Sequence, residues 1–414
     1  MRDDSFSQRR RGYLTALVSA AGFGGCLGLE ESQPTPTGTA TGTRSGTETP
    51  RAGQETDTGG STTDDSEPES RDEQPSESPP PGTRWTVDAG GPFIAGPVHV
   101  DGTVVATSID RNVYGVDAAT GETEWAAATE TALENGLAVV DGTAVAVGIE
   151  EQVGVDISDG TTTYQHVGFP RGVREQAAGD GVVYQCRFNN GGIRAITPAT
   201  GEVAWSDRTT VQADGEDHGS VVSIAHDGET VCVGAQPDNQ FGSPPWAFAG
   251  YDVDTGERLW YLERDLDFDS VSPEVAVSNG TCLAHSGDNH YMILDARTGS
   301  IRTESETSYF AVYGAVDGTV VLLRDGTVHG ADIATIETRW QSDISPAQQT
   351  LDGATFWVTD DDATLYRIDV PSGEVSEVQQ LEIGGSSLTG ELAVTDETVF
   401  VTTEDATLRA LERR

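Results

Sequence analysis

From Trp85 onward the chain is written in short runs of β-branched and small residues, each stopped by a turn signal. Asp-Gly or Asn-Gly joins paired runs at Asp101-Gly102, Asp141-Gly142, Asp180-Gly181, Asp227-Gly228, Asn279-Gly280, Asp317-Gly318 and Asp352-Gly353. These dipeptides accept the positive φ angles of two-residue hairpins, so each pair of runs reads as two antiparallel strands. A third run follows, such as Asn112–Val116 or Thr364–Ile368. A second turn signal then leads into a fourth run that ends in an aromatic residue. Each unit is therefore a four-stranded antiparallel meander.

The second signal is Asp-x-x-Thr-Gly-x-x-x-Trp, and it recurs with a period near forty residues. Its copies are Asp117–Trp125, Asp156–Tyr164, Thr197–Trp205, Asp252–Trp260, Asp295–Thr303, Asp332–Trp340 and Asp369–Glu377. Gly121, Gly201 and Gly256 hold the turn glycine's place in three of them. An eighth copy stops at Glu412, before its fourth strand. That strand is found at the other end of the repeats, in Thr83–Val87, with Trp85 in the aromatic position. One such sheet cannot bury both faces alone, whereas radial stacking covers every sheet with its neighbours. The pattern predicts an all-β, eight-bladed β-propeller over 83–414 whose last blade is closed by the N-terminal strand. A seven-bladed ring with one decayed repeat is the alternative. The tryptophans are expected to wedge between neighbouring blades.

The segment before the repeats is different. Residues 7–28 read SQRRRGYLTALVSAAGFGGCLG. Basic residues including Arg10 and Arg11 precede an apolar stretch too short to span a bilayer. The segment resembles a twin-arginine signal peptide over 1–25, and Phe23-Gly24-Gly25-Cys26 resembles a lipobox in which Cys26 is lipidated. An uncleaved N-terminal anchor is the alternative. Residues 26–82 form an acidic, Thr/Ser/Pro-rich tether; from residue 30 they contain no aromatic residue and cannot build a core. As a flexible coil it would span roughly 40 Å. The expected location is the outer face of the cell membrane, reached by twin-arginine export and held by the Cys26 lipid.

Charge narrows the partners. The net charge is −44, and all 24 basic residues are Arg. Nucleic acid needs a basic surface, so it is excluded as a partner. A Lys-free domain coated with carboxylates resembles a protein of an extreme halophile, in particular an archaeon. In molar salt the Debye length is about 3 Å, which screens the self-repulsion.

The repeat as a whole resembles the PQQ-like eight-bladed propeller family, on Asp-Gly-x-Val-Tyr-Val and Asp-x-x-Thr-Gly-x-x-x-Trp. The resemblance covers nearly all of 83–414 and implies one of two functional classes. One is the quinoprotein dehydrogenases, which bind pyrroloquinoline quinone (PQQ) and calcium. The other is scaffold lipoproteins such as the outer-membrane assembly factor BamB. Fold alone does not choose between them. The chain has no adjacent cysteine pair, which many of the dehydrogenases carry, and its units are near minimal length. No phosphate loop, Gly-x-Ser-x-Gly, EF-hand or Cys-x-x-Cys spacing occurs. No catalytic residue, metal ligand or cofactor is assigned.

Cys186, Cys232 and Cys282 fall in second strands and read as small buried hydrophobes, with one disulfide as the alternative. Asp360-Asp361-Asp362 reads as a solvated turn. Asn279-Gly280-Thr281 is an N-glycan sequon on a hairpin turn. Departures from minimal length gather in blades 2 to 4, in residues 165–174, 206–220 and 234–252. Phe169, Arg171, Arg174, His218, Phe241 and Trp246 are the candidate partner-binding residues there, because aromatic and Arg side chains anchor interfaces. Packing of Phe241 and Trp246 onto the blade is the competing reading. The functional expectation is a monomeric, lipid-anchored, non-enzymatic scaffold that binds a protein or glycan partner. The alternatives are a PQQ-dependent oxidoreductase and a polysaccharide-binding propeller.

Overall fold

The computed structural model describes residues 82–413, apart from 149, 169–172, 188–191, 209–210, 214–215, 219, 237–245, 265–272, 286–289 and 307–309. Arg10, Arg11 and Cys26 lie outside the described residues. Eight four-stranded antiparallel sheets follow one another in chain order. Blades 1 to 7 span 93–128, 136–167, 173–207, 220–264, 274–306, 310–341 and 348–380. Blade 8 takes three strands from 388–412 and its fourth from Thr83–Asp88. That strand pairs antiparallel with Thr407–Glu412, with Trp85 opposite Ala410. The eight-bladed reading and the N-terminal closure both hold. A ninth, two-stranded sheet pairs Val211–Ala213 with Glu216–His218 between blades 3 and 4.

The strand patterns follow from position in the blade. Successive side chains of a strand point to opposite sheet faces. In Thr103–Ser108 this sends Val104 and Ala106 toward blade 8 and Val105 toward blade 2. Second strands thus have a neighbour on both sides and read as unbroken apolar runs; Thr143–Val147 is buried throughout. Fourth strands form the rim, and Ile301–Glu306 is exposed throughout. The core is therefore a set of apolar seams, one between each pair of adjacent blades.

The repeat's aromatic residue locks these seams. The indole N–H of Trp85 donates to the Ala118 carbonyl in the next blade's Asp-x-x-Thr-Gly turn, at 3.0 Å. Trp125 bonds Ile157, Trp205 bonds Val253, Trp260 bonds Ala296 and Trp340 bonds Val370 in the same way. The ring lies flat against the glycine of that turn. A Cβ on Gly121 would sit 2.4 Å from Trp85, and one on Gly299 would sit 2.5 Å from Trp260. The other side of the ring meets a glycine of its own blade, because Gly115, Gly250 and Gly330 stand opposite Trp125, Trp260 and Trp340. In those three blades two glycines and one indole thus share one space, whereas Ala410 and Ala195 stand opposite Trp85 and Trp205.

The seam between blades 5 and 6 fills that space differently. Thr303 replaces the Trp, Ile293 replaces the glycine opposite it, and Ile336 replaces the turn glycine. Ile336 keeps the turn's positive φ of 58° and donates its N–H to the Asp332 carbonyl at 2.7 Å. Both isoleucines are buried in the seam. At the seam between blades 7 and 8, where Glu377 replaces the Trp, the chain end closes the gap. Arg413 lies over the Trp357 ring at 4.9 Å, and Gln379 bonds the Glu412 carbonyl at 2.9 Å.

Truncating Trp260 to Ala should cost about 3–5 kcal/mol of unfolding free energy, the usual loss for a buried aromatic. Gly299→Ala should cost about 2–5 kcal/mol, overpacking of about 1–3 added to about 1–2 of backbone strain at its φ of 67°. In the Trp260→Ala background the clash is gone, so Gly299→Ala should cost only its backbone strain, about 1–2 kcal/mol. Denaturant midpoints in molar salt measure all three variants.

Candidate partner-binding face

In a four-stranded meander, the turns after strands one and three emerge on one face of the ring. The turns after strand two and the links between blades emerge on the other. We call these the turn face and the loop face. Both sequence signals build the turn face. Asp101, Asp141, Asn279 and Asp317 take φ angles of 47–50° in their hairpins. Each hairpin is tied to its blade's second turn, as by Ala118 N–H to Gly102 carbonyl at 2.8 Å and Ala296 N–H to Gly280 carbonyl at 3.0 Å. Asp117 Oδ1 accepts both the N–H and the hydroxyl of Thr120 at 2.7 Å. Asp252 and Asp295 hold Thr255 and Thr298 likewise, and Asp369 holds Ser372. These bonds favour the carboxylate and hold the four Asp below the ordinary range. Arg302 pairs with Asp295 at 2.6 Å, Arg339 with Asp332, and Arg84 with Glu397 at 3.6 Å. The turn face uses its polar groups on itself.

The loop face has two sectors. In blades 1, 7 and 8 a short turn is organised by one aspartate. Asp110 accepts from Gly90 N–H at 2.8 Å, Asn112 N–H at 3.1 Å and the Tyr114 hydroxyl at 2.5 Å. Asp360 accepts from Thr364 N–H at 2.8 Å and the Tyr366 hydroxyl at 3.1 Å, so the Asp360–Asp362 run is a turn. Asp405 accepts from Thr407 at 2.9 Å and Arg409 at 2.5 Å. Sequence reasoning missed this third repeat signal. It was readable as an Asp before a left-handed residue and then Asn/Thr, Val/Leu and Tyr/Arg. Blade 6 turns on Asp325-Gly326. The longest segments are 208–219, 237–245 and 265–273, around blade 4.

Of the candidate residues, three have a described position in or between blades 3 and 4. Phe169, Arg171 and Phe241 lie outside the described residues. Arg174 is on the innermost strand of blade 3, Val173–Ala178, and His218 is on the ninth sheet opposite Val211. Trp246, expected as an anchor, is only 7 % exposed where the third strand of blade 4 begins, so it packs the blade. Cys186, Cys232 and Cys282 are buried in second strands, and Cys232 and Cys282 share a hydrogen bond. Among the described residues no group of three or more His, Cys, Asp or Glu is placed to hold a metal ion.

Three polar features of blades 2, 3 and 5 escaped the sequence reading. Glu151, 1 % exposed, accepts the N–H groups of Glu130 at 3.0 Å and Thr131 at 2.6 Å and the Gln165 amide at 2.6 Å. It pins the link into blade 2. Between blades 2 and 3, buried Arg194 donates to Gln185 at 2.8 Å and Gln152 at 2.7 Å. Burial and the nearby Arg187 lower its pKa to about 10. The third feature is a radial row on blade 5, with one ionisable residue on each strand. Its innermost member, Glu274, accepts Val312 N–H of blade 6 at 2.8 Å and lies 3.9 Å from His285. Farther out, His290 and Arg264 approach Glu304 at 3.3 and 3.5 Å. Burial raises Glu274 to about 8 and lowers His285 to about 3. At neutral pH the inner pair is thus a protonated acid beside a neutral imidazole, despite its ion-pair spacing.

An eight-bladed ring of four-stranded blades closed by its N-terminal strand belongs to the class of repeat-built β-propellers. Residues 81–182 and 172–379 match the family described as outer membrane protein assembly factor BamB, and the chain belongs to this family. No match was found among curated proteins. Among solved structures, the BamB of Moraxella catarrhalis is similar with a TM-score of 0.57 and 16 % identity, over 80 % of this chain and 99 % of that one. The quinohemoprotein alcohol dehydrogenase of Comamonas testosteroni is similar with a TM-score of 0.56 and 12 % identity, over 80 % of this chain and 76 % of that one. A computationally designed protein, Ika8, gives 0.58 and 16 %, over 78 % of this chain and 97 % of that one. At these identities the structural likeness shows the fold.

The blade 5 row sets a pH dependence. Folded Glu274 keeps its proton up to about pH 8, whereas the unfolded chain releases it near 4.5. The folded state therefore binds more protons within that window, and stability should fall as pH rises through it, by up to a few kcal/mol. Glu274→Gln keeps an acceptor for Val312 and removes the titration. Its unfolding free energy should decline less than the parent's between pH 5 and 8.5, as measured by denaturant melts in molar salt.

Proposed function

We propose that this chain is a surface-anchored, non-enzymatic propeller that docks a protein partner through the loop face of blades 2 to 5. The observation that carries the reading is the family match over most of the propeller, joined to the asymmetry between the two faces. A relative named as an assembly factor supports a scaffold role here. The acidic, Lys-free coat supports work in molar salt, and the 7–28 segment supports export and lipidation at Cys26. The dehydrogenase reading has fold likeness behind it. However, a quinone carrying three carboxylates needs cationic neighbours, and the innermost strands of blades 5 and 8 present the acids Glu274 and Glu391, with Arg174 on that of blade 3. Burial raises these acids to about 8 and about 7. We therefore place the dehydrogenase reading second.

A photo-crosslinking residue at exposed Glu150 on the loop face should trap a discrete protein on cells in molar salt, and one at Glu122 on the turn face should not. Titration of the purified chain with PQQ and calcium should show no stoichiometric binding. A saturable one-to-one PQQ complex, or adducts only from Glu122, would overturn the reading.

A further inference from the structure

The described propeller begins and ends on the same face. Gly82, where the 26–82 segment joins, accepts the Glu412 N–H at 2.7 Å. Arg413 donates its N–H to the Glu397 carbonyl at 2.9 Å, in the hairpin between the first two strands of blade 8. Arg84 reaches the same hairpin through Thr398 at 2.8 Å. All of these groups lie on the turn face, at the rim. The closing strand then runs to the loop face, where Ala89 meets the Ala406 carbonyl at 3.3 Å. We propose that the tether leaves from the turn face and that the anchored propeller therefore presents its loop face away from the membrane, toward a water-soluble partner or soluble ectodomain. This rests on the anchored-scaffold reading above.

The ring geometry makes the bias physical. A six-residue strand such as Thr398–Thr403 separates the two faces by roughly 20 Å. A flexible coil as long as the 26–82 segment would span roughly 40 Å. A body held at one edge by a flexible chain keeps that edge nearer the surface, because excluded volume disfavours the inverted poses. A partner embedded in the membrane would meet the turn face first, and that face is already satisfied by its own bonds.

Asp396 and Glu404 test this, because both are exposed and lie at opposite ends of the same hairpin. Cys186, Cys232 and Cys282 are buried and poorly reactive in the folded chain. The full-length lipidated protein, as Asp396→Cys or Glu404→Cys, is labelled with a donor dye and bound in molar salt to neutral phospholipid vesicles carrying a headgroup acceptor. Energy transfer should be stronger from position 396 than from position 404, by up to roughly twofold for a face separation of roughly 20 Å. Equal transfer, or stronger transfer from 404, would overturn the orientation while leaving anchoring intact. Failure of both variants to float with the vesicles would contradict the anchoring, and the orientation with it.

Discussion

One contact organises this molecule: an indole ring held between a glycine or alanine of its own blade and the turn glycine of the next, with its N–H on that turn's carbonyl. The contact is both steric and directional. The ring fills a gap left by the turn glycine and a small residue opposite, and the hydrogen bond fixes how far each blade is rotated against the next. Repeated around the ring, it turns separate four-stranded sheets into a closed structure whose core is a set of seams. The seam between blades 5 and 6 shows that the constraint is on volume rather than on residue identity. There Ile293 and Ile336 occupy the space that the Thr303 position gives up.

This arrangement divides the labour of the two faces. The signals that make the wedge, Asp-Gly and Asp-x-x-Thr-Gly, all emerge on the turn face and leave its polar groups bonded to one another. The loop face owes less to the wedge. Three of its turns are fixed by Asp110, Asp360 and Asp405, and the remaining sector is where segment lengths vary. A binding surface can vary there without loosening a seam. The strong negative charge fits this arrangement, because the acidic residues ride on rim strands and turns and leave the seams apolar.

The fold was legible because its signals are local and repeated. Asp101-Gly102 or Asp252 to Trp260 each specify a turn within ten residues, and the orphan strand at Trp85 supplied the closure. The candidate site was less legible because its parts meet only through register. Glu274, His285, His290 and Glu304 are distant in sequence and fall into one row because each lies near the loop-face end of its strand. Arg194 reads as a surface charge until Gln152 of the neighbouring blade is brought against it. Trp246 misled for a local reason. An aromatic residue after Pro244-Pro245 looks like part of an exposed insertion, but the third strand of blade 4 begins on it and the blade buries it.

The central claim is that the wedge space of a seam is filled once, by one aromatic ring as between blades 4 and 5 or by two isoleucines as between blades 5 and 6. The most direct measurement moves the blade 5–6 solution into the blade 4–5 seam as Gly250→Ile, Trp260→Thr and Gly299→Ile together, and compares its unfolding free energy with Trp260→Thr alone. The account predicts that the triple variant recovers most of the stability lost by the single one. A triple variant no more stable than Trp260→Thr would contradict it.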